Sequence, residues 1–301
     1  MEAKTKAEYI SIAENFINKY VGADQVTPKR ITDALKARAG NYRPDYWRRL
    51  RRGLALHQRE QGFIKSAERI ERTKNPVTLQ GVKSSIKPKQ KRAKSIKPDD
   101  FKRMMQEAEK QGLHQLAAAM FIAIETGARP AEIPNIVVMD KTLAITGVKK
   151  RDGDGKSGAR GLDRNITYTG DMGRMTAAIK AVAGADMSRL QGQIRKLAAD
   201  VWPKRSVRPS FYTFRHQVGS NLKASGMSRV QVAYVMGHQS TVSVERYGNV
   251  RSASSPVRVE PDAGADLSVI RDNHTPPPDL NRGERVQERT HTHEAHQGPS
   301  M

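Results

Sequence analysis

The 301-residue chain carries a formal net charge of +22, contains no cysteine, and is 37% hydrophobic. That length gives room for two domains and a tail, and the charge points to a polyanionic partner, most simply nucleic acid. The missing cysteines exclude disulfides and thiolate metal sites, and without a signal peptide or a long apolar run the chain is expected to be soluble and cytoplasmic, with no membrane partner.

The charge is uneven. Residues 1–98 hold 24 Lys and Arg against 9 Asp and Glu, whereas residues 251–301 hold 6 against 8. The basic surface therefore belongs to the parts expected to fold. Residues 1–75 read as helices within a first domain spanning 1–82. Ile10, Ala13, Phe16, Ile17 and Tyr20 form one apolar stripe, ended by Gly22. Thr27 and Pro28 supply an N-cap and first-turn proline for a helix carrying Ile31 and Leu35. A third helix starts near Pro44, with Tyr46, Trp47, Leu50, Leu54 and Leu56 expected inside. Its outer face presents Arg48, Arg49, Arg51 and Arg52, with no acid expected to offset them before Glu60. A fourth helix spans about 64–71.

Residues 83–97 carry seven basic side chains and no acid, with serines and prolines in or beside the run. They read as a basic interdomain linker. Lys89, Lys91, Arg92 and Lys94 are its candidate phosphate contacts, because lysine and arginine beside DNA release condensed counterions.

A second domain spans 98–250. A helix is expected from Pro98 to about Lys110, then a very apolar one over 113–125. Gly127 ends that helix and puts Arg129 at the start of the next element. Glu132, one turn on, is expected to orient Arg129. Residues 142–169 read as a β-hairpin, with Leu143, Ile145 and Val148 on one strand, Ile166 and Tyr168 on the other, and a Gly/Asp-rich turn. The turn lacks the glycine spacing of a phosphate-binding P-loop. Helices follow over about 171–183 and 187–200.

The stretch from 208 to 251 concentrates the polar chemistry. Phe211, Phe214, Val218 and Leu222 recur at helical steps, and Gly226 closes that helix. Ser228 caps a second helix packed through Val230, Val232, Ala233, Val235 and Met236; Gly237 breaks it. Thr241 is expected to cap a short third helix bearing Tyr247. Arg215, His238 and Tyr247 thus converge on one surface. A guanidinium grips phosphate bidentately, and an imidazole can donate to a phosphate oxygen or move a proton. A phenol, with an ordinary pKa of about 10, attacks well once cations favour its phenolate. Together these groups suit attack on a phosphodiester. His216 reads as structural, and Tyr234 faces a helix interior.

Beyond residue 250 lies a tail rich in Pro, Ser, Asp and Gly, expected to be flexible over 251–301. Only 265–270 is expected to form a short helix, and the histidines of 291–296 lack apolar support for a metal site.

Thr126-Gly127-Ala128-Arg129-Pro130-Ala131-Glu132, then Arg215, Met236-Gly237-His238 and Tyr247, resemble the boxes of the tyrosine recombinase (phage integrase) family, in order and spacing, over about 98–250. The resemblance implies a mainly α fold with a small β-hairpin or sheet: a helical DNA-binding domain followed by the tyrosine-recombinase catalytic domain. It implies Tyr247 as nucleophile, Arg129 and Arg215 as phosphate ligands, His238 as assistant, and a hairpin lysine as general acid. Lys149 is the first choice, with Lys150 and Lys156 as rivals. No cofactor or metal is implied. The partners implied are double-stranded DNA and other protomers, as a tetramer on DNA, with room for DNA-bending accessory proteins. The segment at 265–270 is the candidate for exchange between protomers. One position departs from the family: Tyr212 stands where a histidine is usual, and its hydroxyl remains a candidate catalytic donor to a phosphate oxygen. Loss of one preorganised donor costs about 2.7–4 kcal/mol, against the roughly 8–23 kcal/mol by which enzymes lower barriers, so catalysis is expected to survive it. A topoisomerase IB-like relaxing enzyme and a DNA-binding accessory protein with a decayed site are the alternatives.

Overall fold

The computed structural model describes residues 3–22, 26–78, 91–148 and 161–272. The chain divides into two compact units, Met1–Gln90 and Lys91–Met301, and the division falls inside the basic run 83–97. It is mainly helical, with a small antiparallel sheet.

The first unit is built from α1 (Ala3–Tyr20), α2 (Pro28–Arg38), α3 (Pro44–Glu60) and α4 (Ile64–Arg72). Thr27 caps α2, its hydroxyl accepting from the Arg30 N–H at 3.3 Å, with Pro28 in the first turn. Ala13, Phe16, Ile17, Ile31, Leu35, Trp47, Leu50, Leu54, Ala67 and Ile70 form its core. Helices α1 and α3 touch so closely that a Cβ on Gly53 would overlap the Tyr9 carbonyl. Two expectations about α3 need correction. Tyr46 is exposed and Leu56 only partly buried; Gly53, Ala55 and Gln58 take the inner positions instead. The buried residues Trp47, Leu50 and Leu54 set the phase of the helix, and Tyr46 falls off its edge. It lies 5.2 Å from the Tyr42 ring, with Arg49 above its own. The arginine face is also not free of acid, because Asp45 accepts from Arg48 at 3.2 Å.

The second unit opens with the extended segment 91–97, tied down by Thr213 Oγ1 donating to the Ala93 carbonyl and by the Ile96 N–H donating to Gln217 Oε1. Then come α5 (Pro98–Lys110), α6 (His114–Thr126) and a 3-10 helix, Pro130–Asn135. The sheet follows: β1 (Ile136–Met139), β2 (Thr142–Ile145) and β3 (Arg164–Tyr168). Helices α7 (Met172–Val182), α8 (Met187–Val201), α9 (Phe211–Ala224) and α10 (Arg229–Val235) lead to a 3-10 helix, Thr241–Arg246, and to β4 (Val259–Pro261). Helix α6 has little polar surface because it lies at the centre, buried along most of its length. All strand pairs are antiparallel, in the order β1-β2-β3-β4.

The sheet is larger than a hairpin. The β2–β3 pair is the expected one, with Leu143 opposite Ile166, but Val148 lies beyond β2 and is exposed. Strand β1 flanks one side. Strand β4 flanks the other and comes from the segment expected to be a flexible tail. Asp262 locks it there by accepting from the hydroxyls of Thr142 and Thr167 at 2.9 and 3.3 Å. The segment at 265–270 forms only a 3-10 turn, Leu267–Val269, and Ile270 is buried in this chain's own core. Residues 291–296 lie outside the described residues, as do Lys89, Lys149, Lys150 and Lys156.

Candidate active site

Helix α6 ends at Gly127, whose φ of 64° is a left-handed cap. The Thr126 hydroxyl secures that turn, donating to the Ile122 carbonyl and accepting from the Ala128 N–H. Arg129 leaves the turn with its backbone N–H donating to Glu132 Oε2 at 2.9 Å and its guanidinium to Glu132 Oε1. The second carboxylate oxygen also accepts from Arg164 on β3 at 3.0 Å. Glu132 is fully buried. Burial alone would raise its pKa, but the charges of Arg164 and Arg129 outweigh that and hold it at about 2.

The end of α10 explains where three arginines go. Gly237 N–H donates to Tyr234 O and His238 N–H to Ala233 O, both at 2.8 Å, a Schellman ending with Gly237 at φ 62°. Three carbonyls at the end of this helix are left for other donors. Val235 O accepts from Arg164 Nε at 2.7 Å, Met236 O from Arg215, and Gly237 O from Arg129 at 3.0 Å. Arg215 also donates to Gly127 O, the end of α6. The end of α10 and its Met-Gly-His turn thus position three side chains besides His238. Gly237 must lack a side chain, because a Cβ there would sit 2.6 Å from Arg164 Nη1.

Arg215 is fully buried, and its Nη2 lies 3.0 Å from His238 Nε2. Burial, then the charges of Arg129 and Arg164, pull Arg215 below the usual arginine range; with Glu132 and four carbonyls around the cluster it stays protonated at neutral pH. The same causes, burial followed by Arg215, Arg129 and Arg164, push His238 down to about 2. Its imidazole is therefore neutral, with Nε2 accepting from Arg215 and Nδ1 carrying the proton. His238 Nδ1, Arg215 Nε and Arg164 Nη1 are buried and have no hydrogen-bond partner. Unpaired buried donors of this kind are uncommon, and these three belong to one cationic cluster.

Tyr247 follows the 3-10 helix Thr241–Arg246 in an extended conformation, rather than sitting on a helix; Ser240, not Thr241, holds the cap position. Its ring lies 4.9 Å from Arg215 Cζ, 5.1 Å from the His238 ring and 5.0 Å from the His216 ring. The structure therefore brings Arg129, Arg215, His238 and Tyr247 together. Tyr212 is 40% exposed, one turn before Arg215. Tyr234 is buried, and its hydroxyl accepts from the Asn165 N–H. Arg48, Arg49 and Arg52 are exposed on α3, while Arg51 spends a donor on the Thr73 carbonyl at 3.1 Å. Lys91, Arg92 and Lys94 belong to the extended segment. Two residues of the site carry no motif: Arg164, and His216 at the Tyr247 ring. For Arg164 the available signal is its place two residues before Ile166 and four before Tyr168, the inward side of a strand.

No family model and no curated protein matches the chain. Solved structures do match its fold. A lambda integrase tetramer bound to a Holliday junction aligns at 16% identity over 85% of this chain and 74% of that one, with a TM-score of 0.53. A lambda integrase dimer bound to a COC' core site aligns at 15% identity over the same shares, with a TM-score of 0.54. The integrase of transposon Tn1549, in complex with transposon right end DNA, aligns at 14% identity over 83% and 90%, with a TM-score of 0.50. The chain has the tyrosine recombinase fold. Among the described residues, no helix is long and apolar enough to cross a membrane.

Proposed function

We propose that this protein breaks and rejoins double-stranded DNA at specific sites through a covalent 3′-phosphotyrosyl intermediate. The observation that carries this reading is the Tyr247 ring lying against both Arg215 and His238, beside a cluster whose buried donors lack partners. The Tyr247 phenol, losing its proton to solvent as the neighbouring arginines favour the phenolate, attacks the scissile phosphorus through its oxygen; the bond to the 5′ oxygen breaks, and Lys149 protonates that leaving oxygen. Arg129 and Arg215 stabilise the charge that develops on the non-bridging oxygens. Because they are held by carbonyls and Glu132, they need little reorganisation at the moment of reaction. His238, neutral in the free protein, donates from its protonated nitrogen; an incoming phosphate opposes the arginine charges that hold its pKa down.

The bond energy is conserved in the protein linkage, so a second strand's 5′-hydroxyl can reverse the step without ATP. Strand exchange of this kind needs four protomers on two DNA sites. The lambda integrase tetramer on a Holliday junction supports that assembly for a chain with this fold. The first unit, with Arg48, Arg49 and Arg52 exposed on one helix, is assigned to holding DNA.

The test is trapping on a nicked duplex whose cleavage releases a short fragment. Wild-type protein is expected to give a covalent band that Tyr247→Phe lacks. DNA binding by wild type with no covalent band would reduce the protein to a binder.

A further inference from the structure

The residue after Arg215 has work of its own. His216, Gly219, Ser220 and Lys223 fall at helical steps along one stripe of α9, and each meets the three-residue segment Tyr247–Asn249. The Gly248 N–H donates to His216 Nδ1 at 3.4 Å, the Asn249 N–H to Ser220 Oγ at 2.9 Å, and Lys223 Nζ to the Gly248 carbonyl at 3.3 Å. Gly219 lets the segment approach, since a Cβ there would lie 3.2 Å from Tyr247 Cβ. Gly248 returns the fit. It sits at φ 70°, and a side chain on it would run into the backbone of Gly219 and Ser220. Three backbone groups of this segment, the N–H groups of Gly248 and Asn249 and the Gly248 carbonyl, are thus satisfied by side chains of α9.

Locally, Tyr247 is anchored through its backbone, its N–H donating to the Val244 carbonyl at 3.0 Å. The preceding 3-10 helix ends at Arg246, and the tyrosine itself is extended. Its side chain is bounded by Arg215 and by two imidazoles, one of which, His216, is tilted 30° to it at 5.0 Å. We propose that His216 is a positioning residue for Tyr247, holding the phenol-bearing segment on α9 through its ring and its Nδ1 before DNA arrives. The inference rests on the reading of Tyr247 as nucleophile. Burial, then Lys94 and Arg215, keep His216 below the usual histidine range, so its Nδ1 is available as an acceptor.

The experiment uses the full chain and a nicked duplex bearing a site that the protein itself has selected from random DNA. Three quantities are read: DNA affinity, single-turnover covalent capture, and amide exchange of residues 244–250 in the free protein. His216→Ala is expected to slow capture about tenfold or more and to speed exchange at Gly248, with affinity unchanged within about twofold. His216→Phe, which restores a ring without the acceptor, is expected to recover capture to within about threefold of wild type. Ser220→Ala, a smaller change that loosens only the Asn249 anchor, is expected to slow capture about threefold, and it tests the same seat if His216→Ala does not fold. The proposal is overturned by wild-type capture in a folded His216→Ala protein, by equal losses in the Ala and Phe variants, or by unchanged exchange at 244–250 in both His216→Ala and Ser220→Ala. A wild-type protein that binds DNA but never captures it defeats the nucleophile reading instead, and exchange then still decides whether His216 holds the segment.

Discussion

Two sets of arginines divide the labour of this molecule. Arg129, Arg164 and Arg215 are at most 8% exposed, and each is pinned by carbonyls, by Glu132 or by both. Arg48, Arg49 and Arg52 stand out from α3, held loosely: Arg48 by Asp45 and Arg49 over the Tyr46 ring. Burying a guanidinium costs several kcal/mol unless partners replace its water, so the first set exists only because two helix ends and a carboxylate converge on it. The second set costs little, and on the proposed reading its long side chains follow a phosphate backbone. The same residue type thus serves fixed geometry in one unit and adaptable charge in the other.

The sharpest way to break this contrast is Glu132→Gln. The buried pair of arginines loses its countercharge, and a stability loss of about 3–5 kcal/mol is expected by urea unfolding at neutral pH. Acid should expose the same cluster more gradually. His238 has a folded pKa of about 2 against an ordinary 6.5, so the unfolded chain takes up the proton first. Stability is then level above about pH 6.5 and falls as the pH drops below it, by up to about 1.4 kcal/mol per pH unit from this group. His216 pushes in the same direction. Glu132, also held near 2, adds its share only below about pH 4.5. His238→Gln should flatten the limb between about 6 and 4.5, leaving the smaller His216 contribution; a slope unchanged from wild type would remove His238 as its source.

The exposed set should respond differently. Replacing Arg48, Arg49 and Arg52 by Ala should leave unfolding nearly unchanged. It should weaken binding to all DNA sequences alike and lower the salt slope by about 1 for each phosphate no longer neutralised. The smallest effect is expected for Asp45→Ala. It frees Arg48 from an exposed pair of about 0.2–1 kcal/mol, so stability should drop by no more than that while DNA affinity holds or rises.

What could be read without coordinates follows from where the causes lie. Helices α5 to α10 announce themselves through apolar spacing and through Gly127, Gly226 and Gly237, because capping and amphipathicity are local. The Arg129 box and the Met-Gly-His turn are local as well. Strand β4 is not: Val-Glu-Pro in a proline-rich stretch becomes a strand only because β3 offers it partners. Strand β1 hides for a related reason. It is an edge strand with Val137 and Met139 outward, and it follows directly on a 3-10 turn. Arg164 was illegible because its role depends on Glu132 and Val235, which are 32 and 71 residues away in sequence. Tyr46 shows the opposite error, an aromatic read as core that lies one position out of phase with Trp47 and Leu50.

The end of α10 has one more implication. A seven-residue helix is too short to persist alone in water, yet the carbonyls of its last residue and of the two that follow, Val235, Met236 and Gly237, hold the three buried arginines. On the proposed reading, catalytic competence and tertiary order are the same event: the arginine cluster beside Tyr247 is assembled only when α10, α6 and β3 have come together.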